Sequence, residues 1–419
     1  MHVNHMASGL AGSQILALAE EIKARLRAGH QVYNLTIGDF DPQLFPIPGP
    51  LREAIAAAYA AGETQYPASN GMPELRAAAA AYTRRRQGLD YSPEAFLVAS
   101  GARPLIFAAY LTLINPGEKV IYPVPSWNNN FYTHIAQGSH VALATDPADN
   151  FLPTPEQVAP HLQEAGLLAL CSPLNPAGTV FERNQLAGIC ELVLAENARR
   201  GPDAKPLYVL FDQIYGALTY GDTVHVDPVS LFPEMQPYTL YIDGMSKAFA
   251  ATGVRVGWAF GPDGVIAKMR SLLAHAGAWA ARPEQLASAA FLDDLQAVDT
   301  YLSGIREGLS RRLEAFFTGL QQMETQGLPV DVIPPQAALY LTVKIDLAGY
   351  RTPNGSLLQN GRDIYSYLLH EASVALVPFY AFGLPDDSPW FRLSVGTVAE
   401  AEIPGILARM QAALEKLGR

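Results

Sequence analysis

A lysine can attack an aldehyde only as the neutral amine, so a nucleophilic lysine needs surroundings that loosen its proton. In residues 238–258, YTLYIDGMSKAFAATGVRVGW, two apolar strand-like runs flank a small-residue loop that holds Ser246-Lys247, with Arg255 eight positions after the lysine. Lys247 sits among Ala and Gly with no acid closer than Asp243, a setting in which desolvation lowers an amine pKa. Arg255 and the Ser246 hydroxyl supply a cation and a hydrogen-bond donor suited to a phosphate. Taken alone, the pair also fits an ordinary loop lysine beside a structural arginine.

Other residues carry compatible chemistry. Asp212 ends the apolar run 207–211 and needs a partner there; a protonated pyridine nitrogen is one, and Tyr215, three residues on, can hydrogen-bond a phenolic oxygen. Asn175, between Pro173 and Pro176, has an amide that can donate to the same oxygen. Ser100-Gly101-Ala102-Arg103 joins a strand to a helix, where free backbone N–H groups and the helix dipole favour an anion. Trp127 offers a flat face for a heteroaromatic ring or for core packing.

Stepping outward, 95–99, 119–124, 167–171, 207–211 and 238–242 are short apolar runs, typical of strands buried on both faces. Ser100, Trp127, Asn175, Asp212 and Lys247 each lie just beyond one of them, at the carboxyl edge where open α/β sheets bind ligands. Helical periodicity marks 13–28, 50–61, 74–87, 104–114, 183–197, 263–274, 283–294, 300–321 and 362–371. Strand patterns mark 32–37, 330–343 and 374–379.

At 419 residues, 49% hydrophobic and 16% charged, the chain exceeds one typical core, and two domains are expected. A net charge of -11 disfavours nucleic acid and anionic membranes as partners. No apolar run is long enough to span a membrane, and 1–10 lacks the pattern of a signal peptide, so a cytoplasmic protein is expected. Cys171 and Cys190 lack the spacing of a zinc site, and no metal is expected.

The combination of Ser246-Lys247 with Gly253-Val254-Arg255-Val256-Gly257-Trp258, Ser172-Pro173-Leu174-Asn175-Pro176-Ala177-Gly178, Asp212-Gln213-Ile214-Tyr215 and Phe391-Arg392-Leu393-Ser394 resembles the class I/II aminotransferases. These are pyridoxal-phosphate enzymes of fold type I. The resemblance covers about residues 38–392. It implies a large α/β/α domain with a mainly parallel sheet (50–315), a smaller α+β domain (316–419) and an N-terminal arm that forms part of the small domain (1–49). It also implies that Lys247 holds pyridoxal 5'-phosphate as a Schiff base, with Ser246, Arg255 and the turn Ser100, Gly101, Ala102 and Arg103 on its phosphate. Trp127, Asn175, Asp212 and Tyr215 would hold its ring, while Arg392 would grip the substrate carboxylate beside the Gly38 backbone. Tyr66, in a string like the family's tyrosine segment, would reach the cofactor of the neighbouring subunit in a homodimer.

The reaction so implied is transfer of an amino group from an L-amino acid to a 2-oxo acid. A carbon-sulfur lyase or a cyclopropane-forming synthase would use the same cofactor residues, and a ligand-sensing regulator is a further alternative. The motifs do not identify the donor. A dicarboxylate would need a second cation, for which His275 and Arg282 are the candidates within 274–283.

Overall fold

The computed structural model describes residues 3–10, 12 and 14–418. Seven strands form the main sheet: β1 Phe96–Ala99, β2 Lys119–Val124, β3 Ser139–Ala144, β4 Ala165–Cys171, β5 Tyr208–Asp212, β6 Thr239–Gly244 and β7 Gly257–Phe260. Their spatial order is β1-β7-β6-β5-β4-β2-β3. β7 runs antiparallel to both its neighbours, and every other pairing is parallel. The carboxyl ends of β1 to β6 therefore meet at one edge.

The apolar runs are continuous because both faces of this sheet are covered. Leu210 of β5 points to the side packed by Leu105, Ala109 and Met269, from helices Ala102–Leu113 and Asp263–Ala276. Its neighbours Val209 and Phe211 point to the opposite side, toward Leu75 and Ile189 of helices Pro73–Gln87 and Arg183–Arg200. Burying one such Leu or Phe side chain contributes about 1.5–3 kcal/mol.

A second, antiparallel sheet comprises β8 Val330–Val332, β9 Tyr340–Ile345, β10 Val377–Pro378 and β11 Trp390–Ser394, in the order β10-β11-β9-β8. Helices Leu295–Thr325 and Ile403–Glu415 cover it with Leu313, Phe316 and Met410. Tyr33–Asn34 pairs in parallel with Val374–Ala375.

Several elements differ from the sequence reading. The expected strand 330–343 is broken, because residues 333–339 leave the sheet to bond the large-domain loops: Ala337 N donates to Gly178 O at 2.9 Å and Ala338 N to Leu218 O at 2.8 Å. The expected strand 374–379 divides at Leu376 between two sheets, and 32–37 keeps only two strand residues. The helix expected at 300–321 spans all 31 residues of Leu295–Thr325, while that expected at 362–371 ends at Tyr367 and continues as a wider turn to Ala372. The first long helix runs Gln14–Arg27, and Ser13 lies outside the described residues. β3 and helix Ile403–Glu415 were not anticipated.

Candidate active site

The carboxyl edge of the large sheet gathers most of the candidate residues. Lys247 sits in the single turn Met245–Ala248 directly after β6, and its Nζ donates to the Gly38 carbonyl at 2.6 Å. Burial lowers its amine to about 8; Asp39 pulls the other way, and the charges of Arg392, Arg103 and Arg255 add to the lowering. Ser246 beside it is buried. The amine is thus poised near neutrality by desolvation, as a nucleophile requires.

Arg255 adopts a left-handed φ of 59° where the chain turns into β7. Its guanidinium reaches across to the turn after β1, donating to Ser100 O at 2.9 Å and to Thr252 O at 2.8 Å. Gly101, at φ 92°, caps the helix that begins at Ala102; a Cβ there would collide with the Arg255 guanidinium. Only glycine therefore lets the arginine lie over the free N–H groups at the helix start, and cation and helix dipole act on the same point. Arg103 turns its guanidinium over Trp127, 5.2 Å from the ring centroid.

Asp212 is the last residue of β5. Burial raises its carboxyl to about 6, with the Ile214 amide and the Lys247 charge opposing. Its one hydrogen-bond donor among the described residues is that amide, at 3.1 Å, so a second donor is wanted. Tyr215 lies with its ring centroid 5.8 Å from Lys247 Nζ, and its hydroxyl meets the Tyr340 hydroxyl at 2.7 Å.

Arg392, on β11, is almost fully buried at 2% exposure. It donates to Asn175 Oδ1 at 2.8 Å and to Thr36 O at 2.7 Å, and lies 4.5 Å above the Tyr340 ring. Its Nε is buried without a partner among the described residues. A guanidinium so desolvated yet incompletely bonded is set to accept a carboxylate. Gly38 faces it across the site, where a Cβ would stand 2.5 Å from Tyr340 Oη. Arg392→Lys should raise KM for amino acid and oxo acid alike by about 10- to 150-fold, the loss of one charged hydrogen bond of about 1.5–3 kcal/mol. Steady-state kinetics with both substrates measures this, and unchanged KM values would make Arg392 purely structural.

Tyr66 is not brought into this cluster. It is 85% exposed and packs edge-on against Trp279 at 5.6 Å. Of the two cations considered for a distal substrate group, Arg282 is held by Glu63 at 2.6 Å, and His275 is exposed on helix Asp263–Ala276.

The sequence reading missed Asp39, Thr36 and Tyr340. Asp39 accepts from Thr252 Oγ1 at 2.7 Å and exerts its charge on Lys247; Tyr340 links Tyr215, Arg392 and Gly38. The tyrosine's sequence signal is its place in the strand pattern 330–343, and the pairings themselves are long-range.

The description of one family model, aminotransferase class I and II, matches residues 30–409. This chain belongs to that family. It is 33% identical to an aspartate aminotransferase of Rhizobium meliloti (strain 1021) over 98% of this chain and 95% of that one. It is also 33% identical to a bifunctional aspartate aminotransferase and glutamate/aspartate-prephenate aminotransferase of Petunia hybrida, over 97% of this chain and 80% of the relative. A crystal structure of a Rhizobium meliloti aspartate aminotransferase superposes with a TM-score of 0.91 at 31% identity, covering all of both chains. A Thermus thermophilus aspartate aminotransferase with maleate gives 0.86 at 28% identity, covering 99% of this chain and 100% of that one. The protein is thus an aminotransferase with the α/β fold of this pyridoxal-phosphate-dependent family, moving an amino group from an L-amino acid to a 2-oxo acid.

Proposed function

We propose that the aminotransferase works through Lys247 as the Schiff-base lysine for pyridoxal 5'-phosphate and that its amino donor is a dicarboxylic amino acid such as L-aspartate. The observation that carries the substrate reading is Arg103. Three arginines act electrostatically on Lys247; Arg392 is bonded to Asn175 and Thr36, and Arg255 to two carbonyls. Arg103 has no carboxylate partner among the described residues and makes only its stacking contact with Trp127. It is the cation left over for a second substrate carboxylate, while Arg392 takes the first. The maleate in the Thermus thermophilus structure, itself a dicarboxylate, supports this.

The residues fit the cofactor. Gly101 and Arg255 leave a cradle for a phosphate, extended by Ser100, the Ala102 and Arg103 backbone N–H groups at the helix start and the Ser246 hydroxyl. Asp212 lacks a second donor, as expected of a carboxylate that receives a pyridine N–H, and the Asn175 Nδ2 and Tyr215 hydroxyl are oriented by Arg392 and Tyr340. When bound, pyridoxal phosphate supplies an electrophilic carbon and an electron-accepting ring. Lys247 would supply the amine that holds the group and, when free, the base that moves the proton from substrate Cα. Arg392 fixes the α-carboxylate so that this Cα–H points at the lysine.

The amino donor is tested by screening L-amino acids in the first half-reaction. L-Aspartate and L-glutamate should exceed L-alanine in kcat/KM, and Arg103→Ala should lower the dicarboxylate values by about 10- to 100-fold while leaving L-alanine within a factor of about three, as for loss of one charged hydrogen bond. Equal losses for all three would return Arg103 to the cofactor alone.

The active unit in this reading is a cytoplasmic homodimer, with Tyr66 donating to the phosphate at the neighbouring subunit. The exposure of Tyr66 away from its own cluster supports it. Tyr66→Phe should loosen the cofactor by about 1.5–3 kcal/mol. A dimer mixed from Tyr66→Phe and Lys247→Ala chains should keep one site with wild-type cofactor affinity; a loosened cofactor at its single active site would refute the exchange. The domain division carried by this reading, 1–49, 50–315 and 316–419, puts one boundary inside helix Leu295–Thr325.

A further inference from the structure

A cavity of about 390 Å³ opens between helix Pro73–Gln87 and the segment 216–231, with Gln213 and Asp243 also in its lining. Its mouth carries Arg86 and Arg183, both exposed and neither in an ion pair among the described residues. Arg86 is held in place over the Tyr82 ring, 5.7 Å from its centroid.

The rest of the lining has the opposite character. The Asp243 carboxylate accepts the Gly244 amide at 2.7 Å and a side-chain hydrogen bond from Gln213. Burial pushes its carboxyl up to about 7, with the Asp212 charge adding to the rise; the Gly244 amide, the Arg86 charge and the Gln213 side chain offset part of it, and no cation approaches within ion-pair distance. Beside it, Gln213 and Gln87 exchange amide hydrogen bonds at 2.7 and 2.9 Å. His225 Nε2 lies 3.3 Å from Gln213 Oε1. A carbonyl oxygen only accepts, so Nε2 carries the proton and Nδ1 is an acceptor. That Nδ1 is buried and has no partner among the described residues. Burial lowers the imidazole to about 4, which keeps it neutral near pH 7. The cavity therefore offers two cationic donors at its rim and, within, a carboxylate without an ion-pair partner and one unsatisfied acceptor, His225 Nδ1.

We propose that this cavity is a second binding site, for a free α-amino acid whose carboxylate meets Arg86 and Arg183 and whose ammonium group meets Asp243 and His225 Nδ1. The zwitterion supplies an anion to the two arginines and a cationic donor to Asp243 and His225 Nδ1, and neither a simple amine nor a simple carboxylic acid does both. The volume suits one such molecule. The ligand would stand one carboxylate away from the site over Lys247, because Asp243 and Asp212 act on each other electrostatically, so its occupancy bears on the residue that faces the ring nitrogen.

The proposal is independent of the donor and of the role of Arg103, and its test uses the full chain with Lys247→Ala, which prevents turnover. The standard L-amino acids are screened by thermal shift, and those that bind are titrated calorimetrically into this chain with and without Arg86→Ala and Arg183→Ala together. Both arginines are exposed, so the paired substitution leaves the fold intact, as its melting temperature checks. At least one amino acid should show a binding event that weakens tenfold or more with the arginine pair and is insensitive to Arg392→Lys. The amine and the acid lacking one of its two charged groups should bind at least tenfold more weakly than the amino acid itself. Asp243→Asn should weaken the same event. No binding by any amino acid, a single event governed by Arg392 alone, or an isotherm unchanged by the arginine pair would each overturn the second site.

Discussion

Lys247→Ala should abolish multiple turnover, with kcat falling by more than about 10⁴, because the substitution removes both the nucleophile and the group that moves the substrate proton. The protein should stay folded, and far-ultraviolet circular dichroism with a half-reaction assay separates the two effects. Residual multiple turnover without added amine would end the assignment. The wild-type chain has a matching pH signature. Its amine, lowered to about 8 by burial, should make cofactor capture by the cofactor-free protein rise about tenfold per pH unit up to that value and then level. Stability follows the same group. The folded pKa lies below the unfolded 10.5, so the unfolded chain binds the extra proton between the two values. The destabilisation, about 3 kcal/mol by linkage, is complete below pH 8 and disappears as pH rises toward 10.5. Lys247→Met should therefore be more stable than the wild-type chain at pH 7 in the cofactor-free form.

Asp212→Asn should slow Cα proton removal by about 10² to 10³, the usual cost of losing one placed charge in a water-poor site. Stopped-flow observation of the first half-reaction measures it, and an unchanged rate would remove Asp212 from the electron-accepting apparatus. The carboxylate also leaves a mark on the cofactor-free protein. Its folded pKa, about 6, stands above the unfolded 3.8, so the stability it contributes is complete below pH 3.8 and is lost as pH rises through 6. Asp212→Asn should flatten the stability profile across that interval.

The carboxyl-edge cluster was readable because each strand before it is buried on both faces and so appears as an unbroken apolar run; 207–211 before Asp212 and 238–242 before Lys247 are examples. β3 escaped because it is the sheet's edge strand, with Ser139, His140, Ala142 and Ala144 exposed and only Leu143 fully buried. The smaller sheet was less legible. Val330–Val332 and Val377–Pro378 are only three and two residues long, and the 333–339 excursion is set by bonds to Gly178 and Leu218 that no local pattern announces. The same holds within the site. A motif can point to Arg392, yet its support by Thr36 and Tyr340, and the capture of Arg282 by Glu63, depend on contacts between distant parts of the chain.

The Thr36–Arg392 bond joins residues 356 positions apart, and Leu35 O and Ile37 O receive bonds from Ser394 N and its hydroxyl at 2.9 and 2.6 Å. Such closures carry a large loop entropy and come late in folding. The Gly38 carbonyl that holds the Lys247 amine belongs to this same stitched segment. A partly folded chain can thus build the sheet and its anion-binding turn while still lacking a grip on substrate, so catalytic competence itself reports that the two distant segments have met.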